Sequence, residues 1–230
     1  MSNSRGIQFS IGTLLLAFTF LLGGCCALET QRSLEHAKQL AQKQDYTAIT
    51  AMKVSCEESC DGCNQLHLLK GDACYRLAKQ GQEPVKNYSC AATELTTGIQ
   101  QTKQWQMETF NLNRPQNYEN LCESLRNWRD LSKGSEADAI DARLLQTAQE
   151  FRSAEPGNAC ATYFLNNARY AQLHSCLLHP DKCPSLCADL QAMLEQLNDA
   201  APTASGSHCE PNIQEIKKEV AKAKELMSCR

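Results

Sequence analysis

The chain has 230 residues and a formal net charge of −3 at pH 7, so it lacks the basic composition that is typical of nucleic-acid-binding proteins. Its 11 glycines and 7 prolines are too few for a collagenous or low-complexity protein. The 14 cysteines, spread from Cys25 to Cys229, are far above ordinary usage and indicate an oxidising compartment. The composition does not indicate a particular reaction or a cofactor.

Residues 1–24 have the pattern of a cleavable signal peptide. Arg5 lies in a short polar segment, and an apolar run follows from Ile11 to Leu22. As a helix this run would rise about 18 Å, which is short of the hydrocarbon core of a bilayer at about 30 Å. The run therefore predicts a signal segment and not a membrane-spanning helix.

The end of this segment, Leu22-Gly23-Gly24-Cys25, resembles the lipobox of bacterial lipoproteins. In that family the chain is cut before the cysteine, which carries acyl chains that hold the protein firmly on the membrane. The resemblance implies lipidation of Cys25, a tether over residues 25–32, and a place in the cell envelope. The residue after Cys25 is not aspartate, which implies the outer membrane with the protein facing the periplasm. An ordinary secretory signal is the alternative, and the role of Cys26 stays open.

Beyond the tether, apolar residues recur at helical spacing. β-Branched residues are sparse, and no alternating apolar pattern exceeds four residues. The chain therefore predicts an all-α fold in which helices are paired by short polar turns. The predicted helices are Ser33–Lys43, Tyr46–Cys56, Cys63–Lys79, Tyr88–Trp105, Tyr118–Leu131, Ala137–Ser153, Asn158–Leu178, Pro184–Leu197 and Pro211–Met227.

Several of these helix pairs resemble the tetratricopeptide repeat. Leu40–Tyr46 resembles its hairpin turn, and Leu69–Tyr75 resembles its first-helix motif, with Gly71 where helices cross closely. Tyr46 and Gly71 are 25 residues apart, which is the separation that a repeat of about 34 residues requires across its junction. Later in the chain Glu155–Asn158 resembles the repeat-ending turn, and Leu165–Tyr170 is again in register.

This resemblance implies a solenoid of stacked helical hairpins over residues 33–200, followed by a linker over 201–208 and a capping helix over 209–230. Such solenoids present a concave groove, so the implied function is a lipid-anchored scaffold, not an enzyme, that binds a protein or peptide partner in the cell envelope. In the family the first helix of each pair lines the groove. The expected partner contacts are Gln65, His67, Lys70, Asn166, Asn167 and Arg169.

The cysteines beyond Cys26 number twelve, which is an even count, and we expect them to form disulfides that staple the helices. Their connectivity cannot be deduced from the sequence. The candidates are Cys56, Cys60, Cys63, Cys74, Cys90, Cys122, Cys160, Cys176, Cys183, Cys187, Cys209 and Cys229.

A second function stays open, that of a periplasmic thiol–disulfide or metal-handling protein using the cluster Cys56, Cys60 and Cys63. The spacing of Cys60 and Cys63 suits thiol exchange, although no strand-to-helix pattern accompanies it. A further group has the residue types of a zinc site but spans a proline-containing turn: His174, Cys176, His179, Cys183 and Cys187. The principal interpretation includes no metal site, and catalytic motifs such as G-x-S-x-G and H-E-x-x-H are absent from the sequence.

Overall fold

A computed structural model describes residues 28–106 and 112–229 of the chain, and the described residues contain helices and no strand. The prediction of an all-α fold is confirmed. The predicted signal peptide and Cys25 lie outside the described residues. No helix in the described ranges is long and apolar enough to cross a membrane.

The helices follow one another with short connections, and a 3₁₀ turn, Pro180–Lys182, follows the eighth. They are α1 (28–42), α2 (Tyr46–Ala51), α3 (Cys63–Lys79), α4 (Pro84–Gln101), α5 (Arg114–Leu131), α6 (Ser135–Ala154), α7 (Ala159–Gln172), α8 (His174–Leu178), α9 (Leu186–Ala204) and α10 (Glu210–Leu226).

From α3 onward, each long helix packs antiparallel against the next long helix in the chain. In addition, α3 contacts α5, α5 contacts α7, and α7 contacts α10. These helices therefore form one continuous face, with the intervening helices packed behind or between them. One apolar core runs from α3 to α10, and a smaller cluster lies beneath α1.

A close helix crossing in this core joins α3 to α4 through two glycines. A Cβ atom on Gly71 would lie 2.6 Å from Cγ of Leu95, and one on Gly98 would lie 2.7 Å from Cγ of Leu68. Such contacts are too short for any side chain, so both positions require glycine. The sequence expectation of a close approach at Gly71 is confirmed.

Helix ends differ from the predicted ones where tertiary contacts intervene. The helix α1 already includes residues 28–32 of the predicted tether. The helix α9 runs to Ala204, through Pro202 and into the predicted linker. Ala200 and Ala204 are buried there, and this packing compensates for the hydrogen bond that proline cannot donate. The helix α2 stops at Ala51, and the loop after it is closed by a disulfide at Cys56.

Candidate functional site

Five complete disulfides lie within the described residues, and Cys60 is also disulfide-bonded. Three bonds join separate parts of the helical stack, whereas two close loops with a sequence separation of 7. The expectation that the cysteines form disulfides is confirmed for these residues, and three of the bonds staple the helical stack. The pairs are Cys56–Cys63, Cys74–Cys90, Cys160–Cys209, Cys176–Cys183 and Cys187–Cys229.

Cys122 is the exception, because it is a buried free cysteine in α5. The prediction of a disulfide is wrong at this position. Its side chain belongs to the main apolar core, where burial, followed by the nearby Glu119 and Glu150 carboxylates, raises the pKa of the thiol. The thiol therefore stays protonated at neutral pH and packs as a small apolar group.

The cysteines considered for metal binding or thiol exchange are instead joined in disulfides. Cys63 pairs with Cys56 and not with Cys60, so the C-x-x-C pair does not form. Sulfur atoms also lie within 4.8 Å of histidine nitrogens at His67 and at His208, but these sulfurs belong to disulfides and cannot act as thiolate ligands. The same holds for the three cysteines of the possible zinc group.

A groove with a volume of about 820 Å³ crosses the face formed by α3, α5, α7 and the start of α10. Its residues recur at spacings of three and four along α3 and α5, which brings them to one side of each helix. The lining residues are Gln44, Tyr46, Asp72, Tyr75, Arg76, Lys79, Gln80, Gln116, Glu119, Asn120, Glu123, Arg126, Tyr163, Phe164, His208, Cys209 and Asn212.

At one end of the groove, Asp72 is held by groups from two helices. Its carboxylate accepts hydrogen bonds from Nε of Arg76 at 2.6 Å and from Nδ2 of Asn120 at 3.2 Å. Burial raises the pKa of Asp72, although these two partners oppose that shift. The Arg76 guanidinium also lies over the ring of Tyr46, 5.4 Å from its centroid. This end is therefore a fixed polar network and not a loose set of surface charges.

In the middle of the groove, Glu123 of α5 receives two donors from α3. The hydroxyl of Tyr75 donates to Oε2 of Glu123, and Nζ of Lys79 lies 3.2 Å from Oε1. Burial and the nearby carboxylate raise the pKa of Tyr75 above its usual range. The Tyr75 hydroxyl therefore remains a hydrogen-bond donor at any physiological pH.

Further along α5, Arg126 contacts α7. It donates a short hydrogen bond to the hydroxyl of Tyr163, and its guanidinium lies 6.0 Å from the centre of the same ring. Phe164 packs beside Tyr163, with ring centroids 4.9 Å apart. Two buried aromatic rings and a cationic group are thus adjacent beside the groove.

Glu119 lies at the junction of α5 with the segment before α10. Its side chain is 10% exposed, and Oε2 lies 3.2 Å from Nε2 of His208. Burial raises the pKa of Glu119, while His208 and a hydrogen bond from Asn158 oppose the shift. This carboxyl group opens onto the groove while being almost removed from solvent.

The six residues predicted as partner contacts lie elsewhere on the same two helices, and none of them lines the groove. His67 and Lys70 contact the Glu94 carboxylate of α4, at 2.6 and 3.0 Å. Gln65 is half-buried in the same helix. Lys70 and Asp72 are separated by about 200° around α3, which explains why Lys70 faces α4 and not the groove.

The predicted residues of α7 also face a neighbouring helix. Nδ2 of Asn166 and Nη1 of Arg169 lie 3.3 and 3.4 Å from Oε1 of Gln196 in α9. Asn166 is fully buried, and Asn167 is half-buried. Their role as partner contacts stays a prediction, whereas the residues that line the groove are a different set.

Comparison with known proteins gives no relative: no family model, no curated protein and no solved structure matches this chain.

Proposed function

We propose that the chain is a lipid-anchored protein of the bacterial cell envelope that binds a peptide segment of a partner protein in the groove. The observation that carries the proposal is the groove itself, built from side chains of α3, α5, α7 and the start of α10. Its volume of about 820 Å³ suits several residues of an extended chain.

The stacking of the helices supports a repeat-like organisation similar to that of tetratricopeptide proteins. Helices that are not neighbours in the chain touch along one face, from α3 to α5 to α7 and on to α10. The glycine crossing between α3 and α4 is what a tightly packed hairpin requires. Stacked hairpins of this kind build extended binding surfaces.

The chemistry of the lining supports a peptide as the ligand. The amide side chains of Gln116 and Asn212 line the groove and can pair with a peptide backbone, whereas the amide of Asn120 is already bonded to Asp72 and Gln116. Carboxylates and cationic groups alternate along the groove, which favours a partner with specific charged side chains.

We propose a binding role for His208 and Glu119, which form a pair in the groove. The sulfur of Cys209 beside them is joined to Cys160 and is therefore not a free thiol.

Anchoring completes the proposal. An acylated Cys25 would hold the protein on the outer membrane, facing the periplasm, and an oxidising periplasm would maintain the disulfides. The alternative of thiol–disulfide or metal handling requires free thiolates at Cys56, Cys60 or Cys63. A count of free thiols in the non-reduced protein tests it.

A pair of glutamines offers a direct test by photo-crosslinking in cells. Gln116 is exposed in the groove, and Gln149 is exposed on α6 outside it. A photoreactive phenylalanine at position 116 should crosslink to one segment of a partner, and a synthetic peptide of that segment should bind the purified protein. The same residue at position 149 should not give this crosslink. Equal crosslinking from both positions would reject the groove as the binding site.

A further inference from the structure

The Glu119 carboxylate differs from the other two acidic groups of the groove in its partners. Those two are each paired with an arginine or a lysine. No lysine or arginine of the described chain lies within ion-pair distance of Glu119, whose neighbour is the imidazole of His208. The groove therefore contains one carboxylate without a lysine or arginine partner among the described residues.

His208 is poorly suited to neutralise Glu119. Its side chain is 67% exposed, in the short segment between α9 and α10, whereas that of Glu119 is 10% exposed. Glu119 is a nearly buried carboxylate with no lysine or arginine beside it, and such a group is costly unless a charged partner reaches it.

We propose that a lysine or arginine side chain of the bound peptide pairs with Glu119 and displaces the His208 imidazole. This inference rests on the proposed peptide-binding function and names the side chain that the groove selects. Because the carboxylate is shielded from water, its ion pair with the ligand is stronger than a surface pair.

An acidic side chain is the competing occupant, and Arg126 is where it would bind. No carboxylate of the described chain lies within ion-pair distance of Arg126. However, Arg126 already donates to the Tyr163 hydroxyl and lies near its ring. A half-buried guanidinium with these contacts gains less from a new partner than the nearly buried Glu119 does, so the groove favours a basic side chain.

Selection of random dodecapeptides displayed on phage tests this preference with the mature, oxidised protein. The wild type should enrich peptides with lysine or arginine at one fixed position. Glu119→Gln, which keeps the size and the polar atoms of the side chain, should lose that preference. Glu195→Gln, at an exposed position in the middle of α9, is the matched control and should keep it.

The best selected peptide then gives the size of the effect by fluorescence anisotropy. Replacing its basic residue by norleucine should weaken binding to the wild type and to Glu195→Gln by about 10- to 100-fold. On Glu119→Gln the same replacement should cost less than about 3-fold. Spermidine should displace the peptide only at far higher concentration, since a free polyamine lacks the backbone contacts.

The possible failures are distinguishable. Enriched peptides without a basic residue, or with an acidic residue in its place, would overturn the assignment to Glu119 and leave the peptide-binding function standing. Spermidine binding as tight as that of the peptide would overturn the choice of a peptide side chain as the ligand. A selection that enriches nothing would reject both the inference and the proposed function.

Discussion

The hydroxyl of Tyr75 in α3 donates a hydrogen bond to the carboxylate of Glu123 in α5, across a sequence separation of 48 residues. This bond joins two helices that line the groove. Lys79 reaches the other oxygen of the same carboxylate. One acidic side chain thus holds α5 against two successive turns of α3.

Removing this hydroxyl should loosen the contact between the two helices. Tyr75→Phe is expected to lower the free energy of unfolding by about 1–2 kcal/mol, because Glu123 keeps only the more exposed Lys79 as a partner. Urea denaturation measures the change. Tyr170→Phe is the control, since its hydroxyl makes one bond of 3.5 Å at an exposed position and should cost less than about 0.5 kcal/mol. Equal losses would contradict the role of the Tyr75 bond.

Thiol counting tests both the disulfide assignment and the competing function. In the non-reduced protein, an alkylating reagent should modify one cysteine among residues 56–229, namely Cys122, and only after unfolding. Its burial and raised pKa suppress the thiolate in the folded state. Peptide mass spectrometry locates the modification. Labelling of Cys56, Cys60 or Cys63 in the folded protein would instead favour thiol–disulfide or metal chemistry.

The helices could be predicted because their signal is local. Apolar residues at helical spacing placed α3, α5, α6 and α10 close to their observed ranges, and the close crossing at Gly71 followed from a repeat motif. Helix ends were less predictable, because they depend on tertiary packing, as at the last turn of α9.

The groove could not be predicted, because its residues come from distant parts of the chain. Glu119 contacts His208, and Tyr75 contacts Glu123, only once α3, α5, α7 and the start of α10 are packed together. Asp72, Tyr75, Arg76 and Lys79 do form a polar stripe at spacings of three and four in the sequence, and this stripe was the available signal. The free state of Cys122 was also hidden, since the even cysteine count carries no information on burial.

Lipidation depends on a segment outside the described residues and is tested separately. Cys25→Ser should abolish acylation and release the protein from the membrane fraction, because the lipobox cysteine supplies the thiol that carries the lipid. Intact-mass analysis and membrane fractionation measure the two effects. Cys26→Ser, one position further on, should remain acylated and membrane-bound. Membrane association of Cys25→Ser at the wild-type level would exclude the lipoprotein assignment.

The crossing of α3 and α4 should be sensitive to a single methyl group. Gly71→Ala places a Cβ atom 2.6 Å from Cγ of the buried Leu95, and the overpacking is expected to cost about 1–3 kcal/mol. This loss exceeds the gain in helix propensity, which is at most about 1 kcal/mol. Gly157→Ala is the control, because no atom lies within 4 Å of its added Cβ. A stabilising Gly71→Ala would show that the two helices can move apart freely.

Because Glu119 is buried, the wild type should be less stable than Glu119→Gln, and the difference in stability should depend on pH. Burial raises the folded-state pKa above the ordinary value of 4.5, so the folded protein holds this proton more tightly than the unfolded chain does. Ionisation therefore costs stability once the pH rises through the folded-state pKa. Glu119→Gln avoids that cost and should be more stable than the wild type at pH 7.

The advantage of Glu119→Gln should shrink as the pH falls through the folded-state pKa, because the wild-type carboxyl then becomes neutral as well. Glu123 is the other acidic group that acts on Glu119, and its charge raises the Glu119 pKa in the same direction as burial does. Urea denaturation at several pH values, with Glu195→Gln as the exposed control, measures the trend. A gap between Glu119→Gln and the wild type that stays constant with pH would contradict the raised pKa. A gap that closes, together with the loss of basic-peptide binding, would mean that Glu119 is kept for recognition at the expense of stability.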